Sequence, residues 1–95
     1  MRVSKEKLEF LKKIIESAID NVDIYIFGSR VESEKKGGDI DVLVLADKKI
    51  SLIKKMQIKI KFWKKFGEQK IDIVSYTRNQ ESTFKNLILQ SAIKI

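Results

Sequence analysis

Asp39-Ile40-Asp41-Val42-Leu43-Val44-Leu45 is the stretch whose reading decides the fold. From Val42 onward it is an unbroken apolar run of strand-forming residues, yet two carboxylates stand at its start. Side chains alternate faces along a strand, so Asp39 and Asp41 point to one side, roughly 6 to 7 Å apart at their Cα atoms, while Ile40 and Val42 point to the other.

Working outward toward the N-terminus, Asp23-Ile24-Tyr25-Ile26-Phe27 is a second β-branched and aromatic run, stopped by Gly28, and reads as a strand. Ser29 to Glu34 fits a short helix or turn, and Lys35 to Gly38 a polar, glycine-rich loop. Before these, Ser4 caps a helix whose Leu8, Leu11, Ile15 and Ala18 recur at helical spacing, supported by Ile14 and Ile19, with an end near Asp20 and Asn21. Toward the C-terminus, Ser51 opens a long lysine-rich helix whose core stripe reads Leu52, Ile53, Met56, Ile60 and Trp63, with Gly67 as its stop. Ile71 to Tyr76 is a third strand, and Glu81 to Ile95 a closing helix carrying Phe84, Leu87, Ile88 and Ala92. The expected order is α-β-α-β-α-β-α, an α/β (α+β) arrangement in which helices flank a small mixed β-sheet as one domain over residues 1–95.

Composition narrows the chemistry. The chain has no cysteine and no histidine, which removes thiolate sites, the usual zinc sites and imidazole catalysis, and leaves only hard oxygen ligands for a metal. No apolar run approaches the roughly 18 to 20 residues that span a bilayer, and Met1 to Lys7 lacks a signal-peptide core, so a soluble cytoplasmic protein is expected, with no membrane partner. A net charge of +7 favours polyanionic partners, and direct nucleic-acid binding stays open, although the lysines are spread as on solvated faces.

Burying Asp39 and Asp41 unneutralised would cost several kcal/mol, because close like charges raise one another's pKa and lose hydration. A divalent cation removes the conflict, and with oxygen ligands alone Mg²⁺ or Mn²⁺ is the natural choice. Asp72 stands in the third strand, where Ile71 and Ile73 take one face and Asp72 and Val74 the opposite one. It either marks an exposed edge or joins the first two. If its strand lies beside Asp39 to Leu45, three carboxylates converge, and two ions roughly 3.5 to 4 Å apart could bridge an entering hydroxyl and a leaving pyrophosphate. Gly28-Ser29-Arg30, after a strand and before a helical segment, suits a phosphate: glycine permits close backbone approach, free N–H groups point outward and Ser29 adds a hydroxyl. Read alone, a Gly-Ser pair after a strand is also an ordinary turn.

Gly28-Ser29, nine intervening residues and Asp39-Ile40-Asp41, followed by Asp72 in a later strand, resemble the signature of the DNA polymerase beta-like nucleotidyltransferases. Over essentially the whole chain the similarity is to the minimal nucleotidyltransferase (MNT, MntA-like antitoxin) subgroup. The resemblance implies a nucleotidyltransferase fold and an antitoxin that transfers AMP from magnesium-bound ATP to a tyrosine hydroxyl of a partner HEPN-domain toxin, neutralising it. It gives Ser29 to the triphosphate, Asp39 and Asp41 to two metal ions, Asp72 to the second metal and the acceptor hydroxyl, and Gly28 to the turn. Arg30 is either a phosphate contact or the ion-pair partner of Glu32 or Glu34. Two positions depart from the family pattern: Val31-Glu32-Ser33, where small residues and glycine are common, and Gly38, where serine usually precedes the first aspartate. Two other functions remain: a nucleotidyltransferase acting on a small molecule or nucleic acid with a separate acceptor-binding subunit, and a non-catalytic binding antitoxin. The chain's small size argues for an acceptor site on another polypeptide or in a homo-oligomer. Ile58 and Phe62, off the core stripe and among Lys54, Lys55, Lys59 and Lys65, are the expected anchor for such a partner.

Overall fold

In the computed structural model, residues 3–28 and 39–95 are described. Helix α1 (Lys5–Ala18) precedes strand β1 (Asp23–Phe27); β2 (Ile40–Ala46), α2 (Leu52–Phe66), β3 (Ile71–Thr77), α3 (Thr83–Ser91) and β4 (Ile93–Lys94) follow. The expected turn or helix at Ser29 to Glu34 and the loop to Gly38 lie outside the described residues.

Serine hydroxyls start the three described helices. Ser4, Ser51 and Ser82 each accept a hydrogen bond from the backbone N–H three residues on, satisfying one of the donors a helix N-terminus leaves unpaired. Gly67 ends α2 at φ +86°, a conformation that costs glycine little, and its N–H donates to the Trp63 carbonyl.

The sheet order is β3-β2-β1-β4. Strand β2 runs antiparallel to β1 and parallel to β3, and α2 supplies the crossover that a parallel pair requires. The closing segment departs from expectation. Instead of one helix to Ile95, α3 stops at Ser91, and Ile93 and Lys94 pair antiparallel with Ile26 and Tyr25. Ile93 and Ile95, β-branched residues separated by a lysine, fit a short edge strand better than a fourth helical turn, and the Ile95 N–H donates to the Ile24 carbonyl at 2.9 Å.

Two cores lie on opposite faces of the sheet. On one, Ile24, Ile26, Ile40, Val42, Val44, Ile71 and Ile73 pack against α1 and α2. On the other, Leu43 and Leu45 meet Ile88 of α3, with Tyr25, Phe27, Val74 and Tyr76 around them. Alternation along β2 puts Asp41 on the second face, in phase with Leu43 and Leu45.

Helix α2 turns the opposite side inward from the one expected. Ile58 and Phe62 are buried, whereas Leu52, Ile53, Met56 and Ile60 are exposed and Trp63 is half-buried. At roughly 100° per residue the helix carries two apolar stripes. The stripe with more members was the expected core, but the narrower one meets Phe10 of α1. Phe10, Phe62 and Phe66 form a ring cluster with centroids 5.0 to 6.3 Å apart. The lysines around Ile58 and Phe62 do not signal exposure, because their stems cover the core while their amines reach out. Lys65 Nζ lies over the Phe10 ring at 5.0 Å, and Lys54 Nζ donates to the Ala18 carbonyl at 2.9 Å. Ile58 and Phe62 are therefore core residues rather than a partner anchor. The same reversal affects α3: Ile88 is buried and Ala92 partly so, but Phe84 and Leu87 face outward.

Candidate functional site

The parallel register of β2 and β3 sets Ile40 opposite Ile71 and Asp41 opposite Asp72. Phe27 of β1 is the partner of Asp41 on its other side. Asp41 thus sits in the middle of three adjacent strands, with a second carboxylate as its immediate cross-strand neighbour, where like charges destabilise. Burial, first, and then the charges of Asp72 and Asp39 raise the Asp41 carboxyl above the ordinary carboxylate range. A hydrogen bond shared with Asp72 acts in the same direction, and Lys70 opposes it.

Asp39 stands beside the pair, near enough for its charge to act on Asp41. It precedes β2, and Lys70 Nζ lies 3.4 Å from its Oδ2, so the sequence reading missed a cation at this end of the sheet. The Ile40 N–H donates to the Lys70 carbonyl at 2.9 Å, which fixes the start of the strand beside that lysine. Extending the Ile40 and Ile71 register one residue backward sets Lys70 opposite Asp39, so the signal was available once the pairing was known. Among the described residues no three acidic side chains cluster tightly enough to hold an ion by themselves. The arrangement is a close pair, Asp41 and Asp72, with Asp39 beside it.

Gly28 has a sharper role than a permissive turn. It follows β1 at φ +81°, and a Cβ placed there would lie 2.5 Å from Asp41 Oδ2. Any larger residue would strain the backbone and push into the carboxylate. Ser29 and Arg30, the other expected phosphate contacts, lie outside the described residues.

The donor set fits a hard divalent cation: its ligands would all be carboxylate oxygens, and the raised proton affinity of Asp41 is the conflict that a cation relieves. Asp41 and Asp72 would be its holders, with Asp39 within reach on the same stretch of chain. Two carboxylates leave coordination positions for water and phosphate oxygens, as Mg²⁺ prefers. A cleft of about 510 Å³, lined by Ile19, Asp47, Lys49, Ile50 and Ser51, lies at the other end of β2 and contains none of the three aspartates. Volume is a poor guide here, since phosphate and metal chemistry needs convergent charge rather than an apolar cavity.

None of the described helices is long and apolar enough to cross a membrane. No protein of curated function matches this sequence. Its fold is that of several solved structures. A MntA–HepT toxin–antitoxin structure superposes with a TM-score of 0.70 at 18% identity, over 96% of this chain and 70% of that one. A toxin–antitoxin structure with AMP-PNP gives 0.73 at 20%, over 97% and 72%. A tri-AMPylated HEPN toxin in complex with MNT antitoxin, from Shewanella oneidensis, gives 0.61 at 22%, over 93% and 70%. The sequence itself matches the family described as "Polymerase beta, Nucleotidyltransferase" across residues 9–95, and the chain belongs to that nucleotidyltransferase family.

Proposed function

We propose that this chain transfers AMP from magnesium-bound ATP to a tyrosine hydroxyl of a HEPN-type toxin, and that the modification neutralises the toxin. The observation that carries the reading is the in-register pair of Asp41 and Asp72, with Asp41 driven toward protonation by burial and then by its acidic neighbours. Support for the partner and the nucleotide comes from structures of the same fold: one contains AMP-PNP and another is a tri-AMPylated HEPN toxin with its MNT antitoxin.

In the transfer, the acceptor oxygen attacks the α-phosphorus, a new P–O bond forms, the bond to the bridging oxygen breaks and pyrophosphate leaves. The hydroxyl proton passes to Asp72, whose carboxylate stands in register beside Asp41. Asp39, Asp41 and Asp72 would hold magnesium as two ions, which when bound would supply charge neutralisation for the triphosphate and the leaving pyrophosphate. Gly28, where a Cβ would press on the Asp41 carboxylate, keeps the space beside that carboxylate clear. Lys70 holds Asp39 and offsets part of the negative charge while the site is empty of substrate.

The test is incubation of the chain with labelled ATP, magnesium and the HEPN protein encoded beside it. Label on a toxin tyrosine, dependent on magnesium and lost in Asp41→Asn, is the expected result. Toxin neutralised without label would replace the enzyme with a binding antitoxin. Label on a small molecule or nucleic acid would replace the acceptor.

A further inference from the structure

Leu52 and Ile53 of α2 are 76% and 72% exposed, and Met56 and Ile60 41% and 42%. A single exposed apolar side chain is ordinary; four along one stripe of one helix are not. The stripe cannot turn into the protein's own core, because Ile58 and Phe62, on another side of the same helix, are fully buried. Leu52, Met56 and Ile60 stand four residues apart, forming the i, i+4, i+8 ridge by which one helix packs into the groove of another.

We propose that this ridge docks an acidic helical face of the toxin, away from the carboxylate site. The proposal rests on the partner assigned above and adds the surface that holds it. The charge decides the occupant: α2 carries no acidic residue, and of its six lysines Lys55, Lys59 and Lys64 flank the ridge at roughly 100° per residue. A second copy meeting this ridge through its own would bring two such lysine fields together in a chain of net charge +7. Nucleic acid would satisfy the lysines but leave the apolar ridge against phosphate and water. An acidic helix with apolar residues in its groove satisfies both.

The experiment measures the affinity of the HEPN protein for wild-type chain, for Leu52→Ser with Met56→Ser, and for Asp72→Asn, alongside AMP transfer. Circular dichroism and thermal midpoints check that each variant is folded. The expected result is a loss of affinity of about tenfold or more in the ridge variant, wild-type affinity in Asp72→Asn, and weakening of the wild-type complex by salt. Wild-type affinity in a folded ridge variant overturns the docking surface, even if AMP transfer continues. Affinity lost in the ridge variant with no transfer by wild type keeps the docking surface and removes the transfer reading. Absence of wild-type binding, ridge-dependent dimerisation, or ridge-dependent binding to DNA or anionic vesicles in place of the protein each overturns the proposal.

Discussion

The two ends of the central strand pair carry the same residue type in opposite electrostatic states. Where β2 and β3 begin, Asp41 faces Asp72, and burial and neighbouring charge push its carboxyl upward. Where they finish, Asp23 and Asp47 surround Arg78, whose Nε lies 3.2 Å from Asp23 and whose Nη1 lies 3.0 Å from Asp47. Arg78 also donates to the Asn21 carbonyl, and Lys94 Nζ lies 3.2 Å from Asp23, so the Asp23 carboxyl is held below its usual range, first by its Lys94 contact and then by Arg78. One end is a solved structural problem, in which a guanidinium ties the turn after α1 to the ends of two strands. The other end leaves a like-charge contact that a bound cation would relieve. That difference, rather than the count of acidic residues, separates a site from a brace.

The sharpest way to break the comparison is to neutralise each end in turn. Asp41→Asn or Asp72→Asn should reduce AMP transfer by about a hundredfold to a thousandfold or more, the scale on which loss of a transition-state charge contact is felt. Arg78→Ala should leave the transfer rate of folded protein within a few-fold of wild type. Single-turnover rates of the three variants decide this, and equal losses at both ends would erase the distinction.

Between the ends lies the shared core, and Phe62→Ala should destabilise both together by about 3 to 5 kcal/mol, measured by urea unfolding. A Phe62→Ala protein with unchanged stability would return that ring to the surface. Arg78→Ala should cost about 1 to 2 kcal/mol, since it removes charge-assisted hydrogen bonds from a half-exposed group. Gly28→Ala should cost a comparable amount through its positive φ and should also lower transfer by displacing the Asp41 carboxylate. A Gly28→Ala variant with wild-type stability and rate would show that the close approach to Asp41 has no consequence.

Smaller effects should have opposite signs at the two ends. In metal-free buffer at neutral pH, Asp41→Asn should stabilise by on the order of 0.5 to 1 kcal/mol, because it removes a cross-strand like-charge contact. Asp39→Asn should not, because it discards the Lys70 ion pair. The pH dependence follows the same division. Asp41 has a raised folded pKa, so the native state binds its proton more tightly. Stability from this group falls as pH rises from the ordinary carboxylate value of 3.8 through the raised one. Asp23 has a lowered folded pKa, so its contribution is present above 3.8 and is lost as pH falls through the depressed value. As pH falls through the acid range, thermal midpoints of both variants should therefore converge on wild type, Asp41→Asn from above and Asp23→Asn from below.

How much of this was legible follows from what each feature depends on. Strand β1, the start of α2 at Ser51 and its stop at Gly67 depend on local chemistry, and sequence reading located them. The facing of Asp41 and Asp72 required one added assumption, that β3 lies beside β2, and the register bears it out. Lys70 and Arg78 were missed because their partners are remote in sequence: Arg78 meets Asp23 across 55 residues, and no local pattern encodes that meeting. Helix α2 was read inside out because periodicity shows that a helix has an apolar stripe but not which of two stripes its neighbours will cover. Phe10 on α1 settled that choice, and it was not weighed. Strand β4 was lost for a related reason, since two residues become a strand only when β1 is there to pair with them.

The most direct test of the central claim is a thermal-shift titration of magnesium in the presence of AMP-PNP, comparing wild type, Asp41→Asn and Arg78→Ala. The account predicts that magnesium raises the midpoint of wild type and of Arg78→Ala by similar increments, the latter from a lower start, and leaves Asp41→Asn unmoved. A wild-type midpoint indifferent to magnesium and nucleotide, or an Asp41→Asn protein that gains as much as wild type, would contradict it.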